Sequence, residues 1–170
     1  MNRIPLRIIV AAAASFMLFG VKSALATDLP CNTVPDLPGH CDITTLHILP
    51  AGTYETPSGL PVLHINGGEL RVAAGATLTL NIAGSATDGL IIENGGKING
   101  DNAGATGDGA TLNITVALGN ILLDSGATIS AANTGTCGAG NGGVININAN
   151  GPNANITTED GTTISVNGGG

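Results

Sequence analysis

Three carboxylates stand at equivalent positions of a repeated pattern, and their spacing could support chemistry. Glu93, Asp124 and Glu159 each lie two residues before a glycine that recurs along the chain. If the repeats stack, these side chains meet at one corner, where like charges repel unless water screens them or a cation lies among them. A solvated corner and a calcium site are therefore the two interpretations, and no other cofactor is predicted. We call these residues the corner carboxylates.

The histidines are weaker candidates for a metal site. His47 and His64 occur in matching Leu-His-Ile triplets, and strand alternation places both outward if the flanking aliphatic residues point inward. His40 lies in a Pro/Gly-rich segment without an obvious partner. Two histidines without a third ligand at a defined spacing make a poor metal site, so exposed surface histidines are expected.

Three cysteines follow the apolar N-terminal segment. Cys31 and Cys41 bracket the loop NTVPDLPGH and are expected to form a disulfide in an oxidising compartment. Cys137, in NTGTCGAGNGG, is then left over, which suggests a free thiol, an intermolecular bridge or a partner elsewhere in a longer chain. No CxxC or HxxxH spacing accompanies the three, so a cysteine metal site is not predicted.

Internal repeats indicate the elements that position these residues. Four segments align on the glycines at 67, 95, 126 and 161: VLHINGGELRV (62–72), LIIENGGKING (90–100), ILLDSGATISA (121–131) and ITTEDGTTISV (156–166). After each glycine, apolar and polar residues alternate, which is typical of a short strand with one buried face. Leu70, Ile98, Ile129 and Ile164 are expected to form one inward ladder.

A second repeated element lies between copies of the first. GATLTLNIA (75–83), GATLNITVA (109–117) and GGVININAN (142–150) alternate aliphatic residues with Thr or Asn and recur at nearly equal intervals. Strands that recur in fixed order in this way predict a solenoid, in which each coil buries its apolar face only when the next coil stacks on it. The predicted fold is all-β, a parallel β-helix of about four coils over residues 43–170, with outward Asn and Thr forming side-chain ladders.

Composition agrees with a narrow solenoid and excludes several partners. The chain has 27 Gly among 170 residues and 2% aromatics, so small aliphatic side chains must fill its interior. Its net charge is -7, and residues 27–170 carry two basic against twelve acidic side chains. Nucleic acid and anionic membrane surfaces are not expected partners, because their recognition relies on clustered Lys or Arg.

Residues 1–26 have the organisation of a secretory signal peptide. Arg3 and Arg7 form a basic start, an apolar run follows over 8–21, and ALA at 24–26 is a small-x-small cleavage signal. The run is shorter than the roughly 20 residues that span a membrane, and no later segment could cross as a helix. The chain is expected to be exported across the inner membrane and to be secreted, periplasmic or at the cell surface. Residues 27–42 are then a Pro-rich N-terminal loop before the repeats.

From about residue 43 to 170 the chain resembles exported bacterial right-handed parallel β-helix proteins. These include the pectin-lyase-like superfamily and the passenger regions of filamentous haemagglutinins and autotransporters. The resemblance rests on G-x-x-I and G-A-T-L strands, on loops such as GDNAGATGDG and GAGNGG, and on ILPAGTY (48–54), which is similar to the opening coil of such proteins. It implies either an adhesive or structural solenoid or a polysaccharide-active enzyme. Because SVNGGG follows a strand without a cap, a fragment of a longer solenoid, or end-to-end self-association, is expected.

The expected function is a non-catalytic segment of a surface adhesin or structural protein. The alternative is the N-terminal part of a pectin-lyase-like polysaccharide lyase or hydrolase whose active site lies beyond residue 170. No N-T-D, G-H-G or R-I-K element of polygalacturonase-like hydrolases occurs, nor does a G-x-S-x-G elbow. A non-catalytic polysaccharide-binding module is a third interpretation, so a polysaccharide or a surface protein is the expected partner.

Overall fold

The computed structural model describes residues 26–32, 37–104, 107–135 and 140–168, and its strands form three parallel sheets. Sheet A contains β1 (Thr27–Asp28), β4 (Gly52–Glu55), β7 (Thr77–Ile82), β10 (Thr111–Val116) and β13 (Val144–Ala149). Sheet B contains β2 (His40–Ile43), β5 (Val62–Asn66), β8 (Asp88–Glu93), β11 (Asn120–Leu123) and β14 (Ile156–Thr158). Sheet C contains β3 (Leu46–Leu49), β6 (Glu69–Val72), β9 (Lys97–Asn99), β12 (Thr128–Ser130) and β15 (Thr163–Ser165). The chain visits A, B and C in turn, which makes a β-solenoid of about four turns.

The strand register stacks like side chains in columns that fill the interior. In sheet A, Leu112 pairs with Leu78 on one side and with Ile145 on the other. Sheet C has the corresponding column Leu70, Ile98, Ile129 and Ile164. Because alternate side chains of a strand point to opposite faces, these columns face inward while the intervening Thr and Asn face outward. The all-β solenoid and the inward ladder predicted from the repeats are confirmed.

Glycines shape the corner between sheets B and C. Gly95, Gly126 and Gly161 have φ values of 75°, 80° and 86°, in the left-handed region that glycine adopts without steric cost. The glycine that follows the first of them has a different role. A Cβ on Gly96 would lie 2.5 Å from the carbonyl oxygen of Ile65 in the preceding coil. One glycine therefore permits the bend, and the next permits close contact between coils.

Polar side chains on the outward face of sheet A form a ladder along the solenoid axis. The Asn113 Nδ2 donates to Thr79 Oγ1 at 3.4 Å, and the Asn146 Nδ2 donates to Asn113 Oδ1 at 2.8 Å. The register places these three residues directly above one another on β7, β10 and β13. The outward Asn and Thr ladder expected from the sequence is thus present.

The loops that join sheet C to sheet A lengthen along the solenoid. In successive coils they comprise 50–51, 73–76, 100–110 and 131–143. The two longest loops meet at a parallel bridge between Asn102 and Asn133, whose side chains are buried. Both amide groups donate to the carbonyl oxygen of Gly107, at 2.7 and 2.9 Å. The longer loops are therefore stacked on each other through buried asparagines.

The first coil begins earlier than the sequence suggested. Strand β1 pairs with β4 and β2 pairs with β5, so residues 27–28 and 40–43 belong to the solenoid rather than to a separate loop over 27–42. The sequence offset from Cys41 to its register partner Leu63 is smaller than the offset between paired residues in any later coil. The longer repeats therefore place the start of the solenoid too late, because the first coil is shorter than the coils that follow it.

Two predictions fall on residues that lie outside the described part of the chain. They are the signal peptide, of which residues 1–25 are not described, and the unpaired Cys137. Among the described residues, the structure contains no helix that is long and apolar enough to cross a membrane.

Candidate functional site

Ionisable side chains of three successive coils meet on the outward face of sheet B, at its first three strands. We call His40, Asp42, His64 and Glu93 the histidine cluster. His40 and Asp42 alternate on β2 with Cys41, which points into the core. Register then places Asp42 directly beside His64 on β5, while Glu93 ends β8 in the following coil. Strand alternation and stacking together bring two histidines and two carboxylates onto one face.

His64 lies between the two carboxylates along the solenoid axis. Its Nδ1 is 2.7 Å from Asp42 Oδ1, and its Nε2 is 3.0 Å from Glu93 Oε1. His64 and Asp42 are 4% and 1% exposed, whereas Glu93 is 29% exposed. The cluster therefore has a buried end at Asp42 and a solvent-facing end at Glu93.

The two contacts determine which protons the imidazole can carry. An ionised carboxylate accepts hydrogen bonds and cannot donate them, so each ring nitrogen of His64 must carry a hydrogen to bond an ionised partner. Both bonds form together only when the ring is an imidazolium, or when a carboxyl group supplies one of the protons. A neutral ring between two carboxylates loses one bond, which leaves one nitrogen available as an electron-pair donor.

His40 lies next to this arrangement without sharing in its hydrogen bonds. Its ring is edge-on to that of His64, with centroids 5.7 Å apart and an interplanar angle of 88°. Its Nδ1 is buried and has no hydrogen-bond partner among the described residues. One ligand atom each from His40, Asp42 and His64 lie within 4.8 Å of one another. The cluster is therefore a compact set of two nitrogen donors and one oxygen donor.

A disulfide holds the strand that carries His40 and Asp42. Cys31 and Cys41 are joined, with Cα atoms 4.9 Å apart, and Cys41 lies between the two cluster residues in β2. The backbone N–H of Asn32 also donates to the carbonyl oxygen of Asp42 at 2.8 Å. The segment before the first long repeat is thus tied to the strand that supplies half of the cluster.

The structure gives the three corner carboxylates different partners. Glu93 Oε1 lies 3.0 Å from His64 Nε2 and accepts a hydrogen bond from Asn94 Nδ2 at 3.4 Å, whereas Asp124 and Glu159 lie close enough to shift each other's pKa. The backbone N–H of Ser125, at 2.6 Å, and then the hydrogen bond with Glu159 lower the pKa of Asp124. The same hydrogen bond and the negative charge of Asp124 raise the pKa of Glu159. The two carboxyls thus influence each other across successive coils, and calcium at this corner stays a prediction.

The structure agrees only in part with the outward, exposed positions expected for His47 and His64. His64 faces outward as expected, yet it is buried rather than exposed. His47 departs further from the expected outward orientation. It pairs with Leu70 of the inward ladder, while Leu46 and Ile48 beside it are exposed. In β3 the aliphatic residues flanking the histidine point outward, which reverses the expected orientation. His47 is half-buried at the first coil, and its Nε2 lies 3.2 Å from Thr45 Oγ1.

Asp42 is the residue that sequence reasoning missed. The string HCDI alternates polar with core residues in the same way as VLHIN, and this alternation was the available signal. The sequence offset between Asp42 and His64 differs from the spacing of the later repeats, so their proximity is evident only once β2 is paired with β5.

The chain was also compared with known proteins. No protein-family model, no curated protein and no solved structure matches it significantly.

Proposed function

We propose that the chain is an exported, non-catalytic β-solenoid segment of a cell-surface adhesin or structural protein. The supporting observation is continuous stacking, since each described coil pairs with the next through all three sheets. The interior columns are aliphatic, and Leu70, Ile98 and Ile129 are fully buried. Neighbouring coils are about 4.8 Å apart, and bending the stack would strain hydrogen bonds in three sheets together. Such a molecule suits the role of a rigid spacer.

The outward face of sheet A supports a contact role for this spacer. Strands β7, β10 and β13 are equally long and present rows of Thr and Asn, including the ladder through Asn113. A flat row of amides and hydroxyls offers both donors and acceptors of hydrogen bonds. A polysaccharide or a surface protein is the partner that we propose for this face.

The resemblance to particular families of β-solenoid proteins is part of the same proposal. The G-A-T-L strands and Gly/Asn-rich loops are similar to those of autotransporter and filamentous-haemagglutinin passengers and of pectin-lyase-like proteins. The first two groups correspond to the adhesive or structural role. The third corresponds to the enzymatic alternative, with an active site beyond residue 170.

Export is tested by expressing the full chain in a Gram-negative host and determining the N-terminus of the product. We expect a mature protein that starts at Thr27 and is found outside the cytoplasm. Replacing both basic residues of the n-region, Arg3 and Arg7, by Glu is the matched control and should retain the protein inside. A product that keeps Met1 and remains cytoplasmic would refute the export part of the proposal.

Adhesion and catalysis are then separated with the exported protein. Beads that carry it should bind bacterial or host cells, or immobilised polysaccharide, and Asn113→Ala with Asn146→Ala should weaken that binding because the ladder is removed. Incubation with polygalacturonate and related polysaccharides should release neither unsaturated products nor new reducing ends. Product formation by this chain would instead establish the enzymatic alternative.

A further inference from the structure

We propose that His40, Asp42 and His64 bind one zinc ion on the outward face of sheet B, with Glu93 orienting the ligand His64. This site is independent of the adhesive or structural role. It rests on the placement of four side chains by β2, β5 and β8, none of which the proposed function uses.

The donor set matches zinc better than calcium. Zinc sites in proteins combine imidazole nitrogen with carboxylate oxygen, and three protein ligands leave a fourth position for water. Calcium takes six to eight oxygen ligands, which two histidines cannot supply. The histidine cluster thus differs in chemistry from the corner carboxylates, which contain oxygen donors only.

The distances require only small side-chain movements. In a tetrahedral site with bonds of about 2.0–2.1 Å, the ligand atoms are about 3.3 Å apart. The three candidate ligand atoms already lie within 4.8 Å of one another, and the Asp42 to His64 separation is 2.7 Å. Binding would widen the contact between Asp42 and His64 and shorten the distances to His40, through rotation about side-chain bonds rather than movement of the strands.

The hydrogen bond to Glu93 determines which nitrogen of His64 binds the ion. Nδ1 faces Asp42 and the interior of the cluster, whereas Nε2 faces the partly exposed Glu93. With zinc on Nδ1, the hydrogen on Nε2 donates to Glu93 Oε1, which lies 3.0 Å away. This is the arrangement in which a carboxylate fixes the tautomer of a metal-bound histidine and increases its basicity.

His40 supplies the observation that a salt bridge alone does not explain. A ring held against His64 with a buried Nδ1 that has no hydrogen-bond partner among the described residues incurs a desolvation cost. A metal ion that engages this imidazole compensates for that cost. The competing interpretation is a metal-free imidazolium between Asp42 and Glu93, in which His40 only packs against the ring.

The test is zinc titration of the purified, oxidised full chain after treatment with a chelator, by calorimetry at neutral pH. We expect one zinc ion per chain, and no detectable binding in His40→Gln, Asp42→Asn or His64→Gln. His47→Gln is the matched control, because it removes an imidazole outside the cluster, and it should bind as the unaltered chain does. Glu93→Gln should retain the stoichiometry and weaken binding about 10- to 100-fold.

A spectroscopic measurement distinguishes loss of a ligand from loss of the fold. Cobalt(II) in place of zinc should give the visible absorption of a four-coordinate site, and X-ray absorption of the zinc-loaded chain should show imidazole scattering. Circular dichroism checks that each variant keeps its strands. Absence of zinc binding by the folded chain, or equal loss in the His47→Gln control, would overturn the proposal. Zinc binding that survives all three ligand substitutions would do so as well.

Discussion

Substitution of Ile129 by Ala tests the inward ladder of sheet C quantitatively. Ile129 is 0% exposed and lies in register between Ile98 and Ile164. The change removes three carbon groups at about 0.8 kcal/mol each, and the rigid coils on both sides leave a cavity that adds to the loss. We expect the free energy of unfolding to fall by about 3–4 kcal/mol, measured by urea denaturation followed by circular dichroism.

The same substitution at Ile164 is the matched control. Ile164 occupies the same column in the last described coil but is 48% exposed. Its truncation loses about half of the transfer free energy and leaves no enclosed cavity, so about 1 kcal/mol is expected. Equal losses at the two positions would show that the column is not a continuous ladder with one open end. Ile98→Ala should match Ile129→Ala.

Four further outcomes follow from the structure. Glu159, whose pKa is raised, stabilises the fold below its ordinary pKa, and this contribution should disappear as the pH rises through the raised value. Asp124, whose pKa is lowered, contributes above its ordinary pKa and loses that contribution as the pH falls through the lowered value. The dependence of the melting temperature on pH across the acidic range should therefore differ in Glu159→Gln, and an unaltered dependence would contradict the interaction between the two carboxyls. If the corner carboxylates bind calcium, millimolar calcium raises the melting temperature. A melting temperature that neither calcium nor chelator changes would exclude the site. Reduction of the bridge between Cys31 and Cys41 should cost about 2–3 kcal/mol in urea unfolding, with a Cys31→Ser, Cys41→Ser variant insensitive to reductant. Ile156 is exposed on β14, an outer strand of sheet B, so we expect a second copy of the chain to associate there. In sedimentation experiments the unaltered chain should form a dimer and Ile156→Lys should remain monomeric. Identical sedimentation of the two would contradict end-to-end association.

The repeats allowed most of the fold to be predicted because alternation and glycine spacing act locally. The spacing of the two G-A-T-L segments equals the sequence offset between the paired residues Leu78 and Leu112. The spacing of the turn glycines at 95 and 126 likewise equals that between Ile98 and Ile129. The division of each long repeat into strands of two sheets was less visible, since the break depends on the conformation of one glycine at each corner.

The histidine cluster was harder to predict because it depends on register between coils of unequal length. Glu93 was singled out from its position before a glycine, and His64 from its triplet, but neither pattern indicates that the two touch. Asp42 enters the cluster through the short first coil, whose strands resemble the later ones only in alternation. To predict contacts between coils, the number of residues in each coil must be known. That number is hard to determine from the sequence because the loops differ in size.

The lengthening loops between sheets C and A show which part of this architecture tolerates change. Strand register is preserved although the connection grows from 50–51 in the first coil to 131–143 in the last, so coils of unequal length share one core. Because this connection varies in length without shifting the paired strands, we expect a peptide inserted here to cost less stability than one inserted within a strand. On this expectation, the molecule would serve as a scaffold that carries an added peptide at one corner while its strands keep their pairing.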